Sequence, residues 1–237
     1  MKTRRSALLL FVIAIFAALP VASEAQTLAA SEDSASMAVL VVPAQIDLTY
    51  TRPTEQTKLR NYAFDTFGPY PLVVAAGVAG VGQLDHSPAE WPLGAAGYGQ
   101  RFGSDFGIAA ISTTTRYAMA EALKEDTLYY RCECRGLFPR LGHAVVSTLT
   151  ARHGQDGHRD FSVSALAAPY AGTMVAVYGW YPDNYGFRSA LRLGNYNLLG
   201  DLGENIMLEF FSSGPHSLLS RMHLNNRHLA PDAEPGL

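Results

Sequence analysis

Ala95-Ala-Gly-Tyr-Gly99-Gln-Arg-Phe-Gly103-Ser-Asp-Phe-Gly107 and Ser164-Ala-Leu-Ala-Ala168-Pro-Tyr-Ala-Gly172-Thr-Met-Val-Ala176 decide the fold. In each stretch a small residue returns every fourth position: Ala95, Gly99, Gly103 and Gly107 in the first, Ser164, Ala168, Gly172 and Ala176 in the second. Four-residue spacing puts such residues on one face of a helix, where backbones can approach closely. Glycine is costly inside a helix, so a row of it implies close packing that compensates. The two stretches are therefore expected to be helices that pack through these rows. The competing reading is a set of loops in which Gly serves as a breaker.

Working outward, the same period appears elsewhere. Thr54 to Phe67 is polar and amphipathic, with Thr54 placed as a cap, and Tyr70 to Leu84 is apolar with Pro71 in its first turn. Gly99 to Tyr130, Phe138 to Arg152, Phe161 to Tyr181 and Phe187 to Phe211 complete the helical set. Strict apolar–polar alternation is short or absent throughout. The fold class expected is all-α, a compact bundle of about five helices with small-residue packing faces. No sheet of more than two or three strands is expected between residues 70 and 211.

The ends read differently. Lys2, Arg4 and Arg5 precede an apolar run from Ala7 to Leu19, and Ser23-Glu-Ala25 supplies a small-residue cleavage site. This is the layout of a secretory signal peptide over residues 1–25, with Gln26 as the mature N-terminus; an uncleaved anchor is the alternative. Removing 25 of the 237 residues leaves 212, enough for one domain. Residues 26–53 read as a largely irregular leader, 54–211 as the helical domain and 212–237 as a disordered tail broken by Gly214, Pro215, Pro231 and Pro235.

A formal net charge of −3 with no basic stripe excludes a nucleic-acid partner. Charged residues make up only 16% of the chain against 48% hydrophobic, which keeps a membrane partner open. Phe161 to Pro182 carries no charge and is long enough to cross a bilayer, although Ser162, Ser164, Pro169 and Thr173 favour a buried bundle helix. Cys132 and Cys134, one residue apart between Arg131 and Arg135, read as two ordinary thiols or one intermolecular bridge, with a redox pair as the sharper alternative.

Polar residues set in apolar helical segments are the candidate site. Arg101 and Asp105 share an i, i+4 spacing fit for an ion pair, as do Asn205 and Glu209; Glu121, Glu125 and Asp126 cluster; His143 opens an apolar stretch. His143, Arg101, Glu125, Asp126 and Glu209 are the catalytic candidates, available for acid–base work. The alternative is a buried hydrogen-bond network that fixes helix register. The segment from Arg152 to Asp160 holds His153, Asp156, His158 and Asp160, read as a turn with Asp160 capping the next helix rather than as a metal site. His216, His223 and His228 are taken as solvated. There is no Gly-x-Ser-x-Gly elbow, Walker loop or dinucleotide fingerprint, and no cofactor or metal is expected.

Across residues 70–211 the chain resembles a set of uncharacterised exported proteins of acidobacterial type. The matching pieces are Pro88-Ala-Glu-Trp91, Gly97-Tyr-Gly-Gln-Arg-Phe102, Glu125-Asp126 with Tyr130, Arg140-Leu-Gly-His-Ala144, Tyr181-Pro182 and Asn205 with Glu209-Phe210. The resemblance implies helices and export; Cys132, Cys134 and the His-bearing tail depart from it. A fainter resemblance, to acid phosphatases acting on lipid phosphates, rests on Arg52-Pro53, Pro139-Arg-Leu-Gly-His143, and Ser220-Arg221 with His228 and Asp232. It implies His143 as general acid and His228 as nucleophile. No Lys stands at the required distance before Arg52, no Ser precedes Gly142, and the last His is displaced by one. Two functions follow as expectations: an exported, envelope-associated helical protein of structural or interaction role in the periplasm or cell envelope, or an envelope lipid-phosphate phosphatase using His143.

Overall fold

Thr54 starts the first helix, its hydroxyl accepting a hydrogen bond from the Thr57 amide at 3.3 Å. A computed structural model describes residues 50–132 and 134–210, which fall within one of two units of the chain. The expected signal peptide, most of the expected leader, and residues 212–237 with their histidines lie outside the described residues.

Helix α1 (Glu55–Phe67) stops at Gly68, and Pro69 restarts the chain as α2 (Pro69–Leu84). Proline cannot donate a backbone hydrogen bond and biases its predecessor away from helix, so α1 and α2 form one rod broken at Gly68. Helix α3 (Gly94–Leu123) is the longest element, about 45 Å at 1.5 Å per residue. It ends where Lys124 turns left-handed (φ 57°) and returns its amide to Ala120 and Glu121. Helices α4 (Leu137–Leu149), α5 (Val163–Gly179) and α6 (Phe187–Phe210) complete five rods. This is the all-α bundle expected.

Strand β1 (Glu125–Asp126) follows α3, while β2 (Thr150–His153) and β3 (His158–Phe161) form a hairpin between α4 and α5. The three pair antiparallel in the order β1-β2-β3, with Glu125 opposite His153 and Arg152 opposite both Asp126 and Arg159. The hairpin turn uses Gly154 and Gly157, both at positive φ. The metal-or-turn segment at 152–160 is thus a β-hairpin, and Asp160 lies in β3; Ser162 caps α5, accepting from the Ala165 amide at 3.1 Å.

Helix α3 is central, packing most extensively on α5 and also on α2 and α1, while α6 packs on α5 and α4. Only one of the two small-residue rows makes the α3–α5 contact as expected. A Cβ at Gly172 would lie 2.6 Å from the Ile108 carbonyl oxygen and would strike Ser112. At Gly99 and Gly103 a Cβ would meet nothing within 4 Å, and at Gly107 only the Trp180 ring. The face of α3 that is buried carries Gly97, Arg101, Ser104, Ile108, Thr115 and Ala120 instead.

The core is made of small residues. Eight of its thirteen buried apolar residues are alanine, among them Ala75, Ala79, Ala144, Ala168 and Ala176. Twenty-four large hydrophobic residues are exposed among the described residues, against five that are buried. The bundle is small inside and large outside.

Candidate functional site

Glu209, in the last turn of α6, is completely buried, which no carboxylate tolerates without partners. Its Oε2 accepts from the Tyr129 hydroxyl at 2.7 Å and its Oε1 from Arg140 Nε at 3.1 Å. The Cys132 amide donates to both oxygens at 3.2 Å. Arg131 and Arg140 also bond the Glu209 backbone carbonyl. Burial pushes the Glu209 carboxyl up, but the Tyr129 hydroxyl, the Cys132 amide and Arg140 outweigh it and hold Glu209 ionised below its ordinary value.

Helix α4 brings His143 to the same carboxylate, with Nδ1 3.3 Å from Glu209 Oε2. On the other side of the ring, Arg159 Nη2 lies 3.1 Å from Nε2. Arginine can only donate, so Nε2 must be the unprotonated nitrogen and Nδ1 carries the proton toward Glu209. Burial and the charge of Arg159 lower the His143 pKa against the pull of Glu209, so the ring is neutral near pH 7. Ser147, one turn along α4, places Oγ 3.4 Å from the same Nε2.

Arg159 and Arg152 face each other across the hairpin, like charges in direct register. Arg152 stacks over the Tyr130 ring, 4.3 Å from its centroid, and near Tyr50. Burial first, and Arg152 second, lower the Arg159 pKa. Among the described residues no carboxylate pairs with Arg159. Beside this group lies a cavity of about 30 Å³, room for a water-sized occupant, lined by Ser147, the two arginines Arg152 and Arg159, and the carboxylates Asp126, Asp201 and Glu204.

The other candidates are elsewhere or satisfied. Glu125 accepts from Ser162 Oγ at 2.7 Å, from the Val163 amide at 3.1 Å and from Ser164, with His153 Nε2 at 3.5 Å. Asp126 accepts from Tyr50 at 2.8 Å and Tyr130 at 2.6 Å. Glu121 instead reaches Lys58 at 2.6 Å. Arg101 lies some 22 residues of helix before Leu123, about 33 Å away along α3. Its donors go to Gln83 and to the carbonyls of Ser87, Pro88, Trp91, Pro92 and Gly97, so it clamps the loop before α3 rather than pairing with Asp105. Asn205 likewise donates to Thr148 at 2.9 Å rather than to Glu209.

No family model matches the chain, and no curated protein or solved structure is similar to it. The geometry therefore carries the functional argument alone.

Sequence reasoning singled out His143 and Glu209 separately, and the structure brings them together. It missed Tyr129, Arg140, Ser147 and Arg159. The spacing of His143 and Ser147, one helical turn apart, was the available signal. Cys132 and Cys134 are joined in a disulfide, not left as two thiols; their Cα atoms are 5.1 Å apart, within the span a disulfide bridges. No group of three or more potential metal ligands occurs among the described residues. A larger cleft of about 300 Å³ between α1 and the second half of α3 is lined by Leu59, Tyr62, Tyr117 and Leu128, with Lys58, Glu121, Glu125 and Asp126 also in its wall.

Proposed function

We propose that this is an exported protein seated on the envelope membrane, serving structure or interaction there. The observation that carries the reading is the reversal of size between core and surface. In water, large apolar side chains gain most from burial, about 1.5–3 kcal/mol each. Here alanines fill the interior and the large residues face outward. Lipid removes the hydrophobic drive between helices and leaves small residues at their contacts, which is the pattern observed.

Helix α2 is the best seat. Val74, Val78 and Val81 share one face at i, i+4 and i+7, with Val73 and Leu84 beside them, all exposed. The helix carries no charge, yet its 16 residues span only about 24 Å, short of the roughly 30 Å hydrocarbon core. Together with α1 it forms the one candidate span among the described residues, but α1 carries Glu55, Lys58, Arg60 and Asp65. Partial insertion of α2, with α1 at the interface, fits these lengths.

Flotation with vesicles of neutral phosphatidylcholine tests this. The full chain is expected to rise with the vesicles, at low and high salt alike, because no basic stripe is involved. Val78→Lys with Val81→Lys should leave it at the bottom of the gradient with an unchanged circular dichroism spectrum. Wild-type protein that stays at the bottom would refute the seat.

The phosphatase reading requires a second histidine at the phosphorus atom. Its named candidate, His228, lies outside the described residues; the groups at His143 Nε2 are the Arg159 guanidinium at 3.1 Å and the Ser147 hydroxyl at 3.4 Å.

A further inference from the structure

Ser147, His143 and Glu209 stand in line: 3.4 Å from hydroxyl to Nε2, and 3.3 Å from Nδ1 to carboxylate. We propose that they form a nucleophile–base–orienter relay that cleaves carboxylic esters, with Arg159 as the donor to the developing oxyanion. The inference goes beyond membrane seating and does not depend on it.

Four observations support it. The first is the order of roles. Nucleophile, base and orienter recur on unrelated folds and are recognised by mutual geometry, with distances looser before substrate binds. The second is the tautomer, since Nδ1–H points at Glu209 and leaves Nε2 unprotonated, with Arg159 Nη2 at 3.1 Å and Ser147 Oγ at 3.4 Å. The third is Arg159, a half-buried guanidinium whose partner among the described residues is a neutral imidazole. A substrate carbonyl acquiring negative charge is a stronger acceptor, so Arg159 is drawn to it and releases Nε2 to Ser147. The fourth is the cavity. Ser147 and Arg159 both line it, together with Asp126 from β1 and Asp201 and Glu204 from α6, and its volume of about 30 Å³ has room for a group the size of a carbonyl.

The step balances. Ser147 Oγ bonds to the acyl carbon while its proton passes to His143 Nε2. The carbonyl closes again, the ester C–O bond breaks, and the leaving alkoxide takes the proton from Nε2. Water then repeats the sequence on the acyl-serine, releasing the acid and restoring Ser147. Glu209 is a positioning residue: it touches the base, not the substrate. The groups that face His143 are Glu209 from α6, Arg159 and Arg152 from the hairpin and Tyr129 from the segment before α4, while Asp201 and Glu204 of α6 line the cavity beside Ser147.

The test uses the full chain, a fluorophosphonate probe and p-nitrophenyl butyrate. The probe is expected on Ser147, located by peptide mass spectrometry, and absent from Ser147→Ala, which loses only a partly exposed hydroxyl and should keep both its fold and its vesicle flotation. Butyrate hydrolysis should fall to background in the same variant. His143→Gln should slow labelling at least about a hundredfold. The labelling rate should rise with pH through a midpoint below the ordinary imidazole value. Glu209→Gln should move that midpoint lower still, because the carboxylate that raises it is gone; a merely structural glutamate would not shift it. Folded wild-type protein that leaves Ser147 unlabelled, or Ser147→Ala that still hydrolyses the ester, overturns the proposal whatever the outcome of flotation.

Discussion

Arg101 shows how much one side chain can organise. A buried guanidinium is costly, and this one is offset by six acceptors that converge on its three nitrogens. Lysine has three donors on a single atom and cannot reproduce that fork. Arg101→Lys should therefore lower stability by about 3 kcal/mol or more, measured by denaturant unfolding, because several buried carbonyls lose their partner at once. One turn along, burial raises the Asp105 carboxyl to about 7, opposed by the charge of Arg101. The unfolded chain then binds fewer protons than the folded one between about pH 4 and 7, so this residue's contribution falls as pH rises through that window. Asp105→Asn removes the dependence. Its melting temperature relative to wild type should be higher at pH 8 than at pH 5, and an equal difference at both would show that Asp105 ionises freely.

At the scale of elements, the contrast between two glycines tests the packing of α3 on α5. Gly172→Leu would drive a side chain into the Ile108 carbonyl and Ser112, overpacking that typically costs about 1–3 kcal/mol. Gly103→Leu meets open space and should be neutral or stabilising, by up to about 1 kcal/mol of helix propensity. Thermal melts that fall equally for both would mean that α3 is turned differently about its axis. That difference also marks where the sequence ceased to be informative. Period and punctuation located the helix ends to within about five residues, because Gly68-Pro69, Thr54 and the Gly154 turn act locally; the exception is the end of α3, expected at Tyr130 but reached at Leu123, where Lys124 turns left-handed and β1 begins. Which side of α3 turns inward does not follow from a four-residue row, since glycine is equally at home facing a helix or facing outward. The short strands were missed for a related reason: Glu125-Asp126 and the hairpin are too brief for alternation to register. His143 and Glu209 were visible as misplaced polar residues, but 66 positions separate them and their meeting depends on how α4 packs against α6.

For the whole molecule, the reversed distribution of large and small residues predicts behaviour before any activity is known. Stripped of detergent or lipid, the chain should self-associate, seen as a growing mass in light scattering after chromatography, and Val78→Lys with Val81→Lys should reduce that growth. If the signal peptide acts as read, mass spectrometry of the exported chain should find Gln26 at its N-terminus; a retained Met1 would refute cleavage. The position of α3 at the centre has one more consequence. A helix that holds Gly97, Arg101, Ser104 and Ile108 against its neighbours while Gly99 and Gly103 look outward constrains its own mutational history. Substitutions accepted along residues 94–123 should come in bursts of one or two positions, separated by refusals every third or fourth. A saturation library scored residue by residue would then display the helical repeat as a rhythm of tolerance, with Arg101 its deepest silence.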